Sequence, residues 1–90
     1  MTRGDGAHLR REIEAHMHDE EPVVLDFSGV RIASVSFFDE SLGVLAKTHT
    51  IQELTRRVKV ENIDPADRKL LNTIVVARDK ERRSATEEAP

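Results

Sequence analysis

His16 and His18, with Asp19 and Glu20 beside them, offer imidazole and carboxylate ligands of the kind that hold a transition metal. A spacing of two sets the histidines on different faces of a helix and no second such cluster follows, so the sequence calls for no metal. Ser36, Asp39 and His49 supply the residue types of a hydrolase triad. On one continuous helix Ser36 and His49 would lie about 20 Å apart at ~1.5 Å per residue, which rules out the proton relay such a triad needs. The four glycines, Gly4, Gly6, Gly29 and Gly43, fit neither G-x-x-x-x-G-K nor G-x-G-x-x-G, so no phosphate-cradling loop is present. With no cysteine, thiol catalysis, disulfides and zinc ribbons are excluded as well. The expectation is a domain that is not an enzyme and needs no cofactor.

Three acidic or hydroxyl positions each admit two readings. Ser36, followed by Asp39, can be a helix N-cap or a phosphorylation site. Asp39 and Glu40 can complement the helix dipole or be displayed for a partner. Asp26, inside an apolar run, needs hydrogen-bond donors; it can take backbone N–H groups of residues 33–36 or contact a ligand.

Fourteen Lys and Arg against 17 Asp and Glu give a net charge of -3, which provides no attractive field for nucleic acid or an anionic bilayer. Arg56, Arg57, Lys59, Arg68 and Lys69 could line a basic face, but the chain has no Trp or Tyr and its three Phe are needed for packing. No apolar stretch approaches the length of a signal h-region or a membrane span, the longest unbroken run being residues 74–77. A cytoplasmic domain is expected.

The elements that would position these residues follow from periodicity. Leu9, Ile13 and Met17 recur every four residues and predict a helix from Ala7 to about Met17, capped by Asp5 or Gly6. Residues 22–29, rich in Val and Phe between Pro22 and Gly29, read as a strand buried on both faces. After a connector, Ser36 opens a second helix reaching about His49, with Phe38, Leu42, Leu45 and Ala46 inward. Thr50 and Glu53 cap a short helical turn through Arg56, and Val58-Lys59-Val60-Glu61 alternates as a half-buried strand should. Asp64-Pro65 starts a last helix, with Leu70, Leu71, Ile74, Val75 and Ala77 on its apolar face. Residues 80–90 hold no large apolar side chain and are expected to be a disordered tail. The order α-β-α-β-α predicts an α/β domain with parallel strands. Two strands make a marginal sheet, so a partner strand, a dimer mate or upstream sequence is expected to complete it at an open edge.

The run Val-Val-Leu-Asp-Phe-Ser-Gly-Val at 23–30, followed by Ser-Phe-Phe-Asp-Glu-Ser-Leu-Gly at 36–43, resembles the STAS-like domain family, related to the STAS domains of bacterial anti-sigma factor antagonists and sulfate transporters. The resemblance spans residues 4–79. It implies a sheet backed by helices, no enzymatic activity and a role in protein–protein regulation. In anti-sigma antagonists the helix after the central strand opens on Asp-Ser-Ser-Gly, whose second serine is phosphorylated by an ATP-binding kinase. Ser34-Val35-Ser36-Phe37 occupies that place, and of the four only Ser36 keeps the family's residue type. The resemblance therefore implies a regulatory module that docks onto a histidine-kinase-type ATPase through Ser34, Ser36, Asp39 and Glu40, with Ser36 as the candidate phosphosite. A structural fragment or obligate oligomer is the alternative, and a nucleotide-sensing module, which the family's reported nucleotide binding would imply, is a third.

Overall fold

The computed structural model describes residues 2–87. Its elements are α1 (Arg3–His16), β1 (Val23–Asp26), α2 (Val35–Phe38) continued by a π-helical turn (Asp39–Gly43), α3 (Ile51–Arg57), β2 (Val58–Glu61) and α4 (Pro65–Glu87). The two strands pair in parallel, Val23 opposite Val58 through Asp26 opposite Glu61, as the alternation of helix and strand demands. Among the described residues no helix is long and apolar enough to cross a membrane.

Helix α1 begins four residues ahead of the expected start, and its cap is Thr2 rather than Asp5 or Gly6. Thr2 Oγ1 accepts the Asp5 amide at 3.1 Å while Asp5 Oδ2 accepts the Thr2 amide at 2.9 Å, a reciprocal capping box. Gly4 and Gly6 lower the helical propensity of this first turn by roughly 1 kcal/mol each, which masks the start in the sequence. Packing explains Gly6: a Cβ there would run into the Phe37 carbonyl oxygen, so α1 crosses the start of α2 at backbone-to-backbone distance. At its other end α1 is fastened by Arg57, whose Nε donates to the Met17 carbonyl at 2.7 Å and whose Nη2 donates to that of Asp19.

Strand β1 is shorter than expected and is covered on one face only. Leu25 is buried, but Val24 is 52% exposed and Asp26 points to solvent, because the helices pack against a single side of the sheet. Strand β2 alternates as expected, with Val58 buried and Lys59 and Glu61 exposed.

The core is the stripe foreseen for each helix brought together. Ile13 of α1 and Met17 just past its end meet Phe37, Phe38, Leu42, Leu45 and Ala46, with Leu25, Phe27, Leu54, Val58 and Leu71 around them. Phe38 is fully buried and takes edge-on contacts from Phe27 and Phe37, with ring centroids 6.4 and 5.6 Å away. On α4 the buried face is narrower than the apolar pattern suggests: Leu71 is buried, Leu70, Ile74 and Val75 are half-buried, and Ala77 is exposed.

Helix α4 continues to Glu87, so residues 80–87 of the expected tail are helical, and 88–90 lie outside the described residues. Local charge pairing extends it. Asp79, 6% exposed, receives Arg82 Nη2 at 2.8 Å and Arg83 Nε at 3.0 Å one turn on, and Arg78 reaches Glu81 at 3.1 Å.

Candidate docking surface at the start of α2

The chain leaves β1 through residues 27–34, and this connector sets where α2 begins. Asp26 folds back onto the turn: its Oδ1 accepts the Ser28 amide at 2.9 Å, the Ser28 hydroxyl at 2.6 Å and Asn62 Nδ2 at 3.1 Å. The Ser28 hydroxyl, then its amide, then Asn62 hold the Asp26 carboxyl below the usual carboxylate range. Asp26 thus does not serve residues 33–36 as expected. Gly29, at φ 71°, completes the turn that Val30 closes with its amide on the Phe27 carbonyl at 3.0 Å.

The group that does serve the connector is Asp67, in the first turn of α4 and 1% exposed. One oxygen accepts the Ile32 amide at 2.7 Å; the other accepts the Ala33 amide at 2.9 Å and Arg31 Nε at 3.2 Å. Burial by itself pushes the pKa of this carboxyl up, but the two amides and the Arg31 guanidinium outweigh it, and the net direction is downward. The same bonds hold Ala33 at φ 47°, a left-handed conformation that costs an L-residue about 1–2 kcal/mol.

Ser34, not Ser36, caps α2: its Oγ accepts the Phe37 amide at 3.1 Å. Helix start signals spaced three apart are ambiguous here, because Ser34 and Ser36 are both cap formers and Asp39 completes a box only with the second. Ser36 lies inside the first turn, half-buried, with Arg3 Nη2 3.4 Å from its hydroxyl. The helix then widens into the π turn Asp39–Gly43, where the Val44 amide reaches back to the Asp39 carbonyl. The buried Ser41 hydroxyl donates to the Phe37 carbonyl at 2.8 Å within this stretch.

Asp39 and Glu40 are both engaged inside the molecule. Arg78 of α4 grips Asp39 with two parallel bonds, Nε to Oδ1 at 2.7 Å and Nη2 to Oδ2 at 2.8 Å. The Arg78 bond, opposed by burial, draws the Asp39 carboxyl below its ordinary range and raises Arg78 above its own. Glu40 takes Arg3 and Arg10 of α1: Arg3 Nη1 pairs with Oε1, and Arg10 Nη1 lies 3.3 Å from Oε2 and 2.7 Å from the Glu40 carbonyl. The Arg3 bond, opposed by burial and joined by Arg10, holds Glu40 low as well.

The four residues singled out from sequence, Ser34, Ser36, Asp39 and Glu40, are thus gathered on α2 and the turn after it. Sequence reasoning missed the partners that surround them. Arg3 and Arg10 are two helical turns apart on one face, a spacing that could have signalled a shared target. Arg78 and Asp67 reach across 39 and 35 positions to Asp39 and Ile32, and no local pattern announces such pairs. The side chain beside the Ser36 hydroxyl is the Arg3 guanidinium, which is no general base, and His49 is used locally, its Nδ1 lying 2.9 Å from Thr48 Oγ1 and 3.2 Å from the Leu45 carbonyl. Among the described residues no group of three or more His, Asp or Glu side chains converges on a metal-sized point, and His16 pairs with Asp19 at 2.8 Å.

No curated protein and no solved structure matches the chain. Residues 5–68, well over half of it, match the family model described as a STAS-like domain of unknown function (DUF4325), and they include both motifs that carried the resemblance. The chain belongs to that STAS-like family.

Proposed function

We propose that this STAS-like domain is a non-catalytic regulatory module that docks onto a protein partner, an ATPase of the histidine-kinase type, through the connector after β1 and the start of α2. The observation that carries the reading is how firmly an exposed apolar loop is held. Val30 and Val35 are 41% and 59% exposed, on a segment whose backbone is clamped by Asp67 at the cost of a left-handed Ala33. An unstrained solvated loop would need neither the clamp nor the strain, whereas a recognition loop gains from being ordered before it binds. In this reading Ser34, Ser36, Asp39 and Glu40 form the adjoining polar rim, and the carboxylates carry their arginines with them, so the rim presents paired rather than bare charge.

Ser36 is the control point of the same surface. A phosphate on its hydroxyl adds close to two negative charges beside Arg3 and competes with Glu40 for that guanidinium. Pairing with Arg3 offsets the repulsion from Asp39 and Glu40, whose charges are already balanced by Arg78 and Arg10.

The test is retrieval of a histidine-kinase-type ATPase from host lysate by the wild type and by Val30→Asp/Val35→Asp, with circular dichroism of both. Retention by the wild type and loss by the variant at unchanged fold supports docking here, and mass spectrometry of the recovered protein reads any phosphate on Ser36. Equal retention by both, or by neither, removes this surface from consideration.

A further inference from the structure

At the sheet, the strand not used by the docking surface has, among the described residues, an edge with no neighbouring strand and a defined polarity. Phe27 donates its amide to the Glu61 carbonyl at 3.0 Å, so Glu61 and, two residues back, Lys59 aim their main-chain groups at β1. The N–H and C=O groups of Val58 and Val60 therefore face the other way, where the Val58 amide closes the last turn of α3 on the Leu54 carbonyl and Arg68 Nη2 meets the Val60 carbonyl at 3.1 Å. Beside this edge an open groove of about 460 Å³ runs between α3 and α4, floored by Leu54, Leu71, Val75 and the half-exposed Val76. None of its lining residues belongs to β1 or to Ser34–Glu40.

We propose that β2 pairs antiparallel with β2 of a second copy of this chain about a two-fold axis at Val60, making a four-stranded sheet. The sequence of the strand is complementary to itself about that point. Val60 and Val60 of the partner subunit exchange two main-chain hydrogen bonds, and the partner's amide replaces Arg68 on the carbonyl. Lys59 then stands opposite Glu61 of the partner subunit, and Glu61 opposite Lys59 of the partner subunit, in the closely spaced non-hydrogen-bonded positions. Lys59 and Glu61 are both exposed on the outer face, so the two ion pairs form without displacing the core. A two-fold contact needs one patch that matches itself, and Val-Lys-Val-Glu provides it. The edge of β1 does not: in the same register, about Leu25, Asp26 would stand opposite an apolar Val24 and no opposite-charge pair would form.

A charge-exchange series in sedimentation equilibrium, from low to high micromolar concentration, tests this, with circular dichroism confirming that each exposed-residue variant folds. Wild type is expected to dimerise with concentration. Glu61→Lys alone sets Lys against Lys twice and Lys59→Glu alone sets Glu against Glu twice, and each is expected to weaken the dimer about tenfold or more. The double variant Lys59→Glu/Glu61→Lys restores two opposite-charge pairs and is expected to recover wild-type association. A wild type that stays monomeric throughout, or a double variant no better than the singles, overturns the proposal.

Discussion

The Asp67 carboxylate accepts the Ile32 amide at 2.7 Å across 35 positions of sequence, and with that bond the first turn of α4 fixes the path of the chain between β1 and α2. Removing the acceptor strands two amides, one of them buried. Asp67→Ala is expected to lower the unfolding free energy in urea by about 2–4 kcal/mol, with a smaller loss for Asp67→Asn, which keeps one acceptor oxygen. A loss below about 0.5 kcal/mol for the alanine variant would show that the connector holds its shape without this clamp.

Stability should fall in acid, and the sign follows from the carboxylates. Asp67, Asp39 and Glu40 all have folded-state pKa values below their unfolded ones. Their contribution is complete above the unfolded range near pH 4 and is lost as pH falls through the lower folded values. Urea midpoints measured from pH 7 downward should therefore stay level to about pH 5 and drop below it, with a shallower drop in Asp67→Asn. A profile of equal slope in the variant would place the acid sensitivity elsewhere.

Gly4 and Gly6 share a helical turn but should respond in opposite directions to alanine. At Gly4 the nearest atom to an added Cβ is Thr2 Oγ1 at 3.6 Å, an ordinary contact, and the gain in helical propensity is about 1 kcal/mol. At Gly6 the Cβ meets the Phe37 main chain, and overpacking of that kind costs about 1–3 kcal/mol. Thermal melts should show Gly4→Ala raised and Gly6→Ala lowered relative to wild type; two shifts of the same sign would mean that α1 can slide on α2.

Asp39 and Arg78 should be coupled. Both side chains are mostly shielded, 16% and 27% exposed, and the bond is two-pronged. A double-mutant cycle of Asp39→Ala and Arg78→Ala is expected to give about 1–2 kcal/mol of interaction energy. An interaction energy within error of zero would mark the pair as a passive surface contact. It follows that Asp39→Ala/Glu40→Ala, the pair of changes that first suggests itself for probing partner binding, weakens the attachment of α4 and α1 at the same time.

What could be read from the sequence was what repeats or alternates locally. Leu9, Ile13 and Met17 face one way on a helix, Val58 and Val60 one way on a strand, and Asp64-Pro65 suits a helix start, whose first position Pro65 takes. The start of α1 was hidden because Gly4 and Gly6 look like helix breakers until the closeness of Phe37 is known. The exposed face of β1 was hidden because Val24 is apolar whether or not a layer covers it. The extension of α4 was hidden because residues 80–87 have no apolar stripe, and their order comes from Asp79 and the arginines a turn away. The candidate site divided in the same manner: Ser34, Ser36, Asp39 and Glu40 are neighbours in sequence, while the charges that answer them come from helices some 30 to 40 positions away.

The widened turn at Asp39–Gly43 works as a phase absorber. One extra residue in a regular α-helix would rotate everything before it by about 100° relative to everything after it, and the wider turn takes that residue up locally. It lets Phe37 and Phe38 point into the core while Asp39 and Glu40 diverge, one toward α4 and one toward α1, with Leu42 and Leu45 back in line with the buried stripe. Deleting a single residue from this stretch would close the wide turn into regular α-helix and leave both the aromatic pair and the leucine pair facing the core, so its cost would fall on the placement of Asp39 and Glu40.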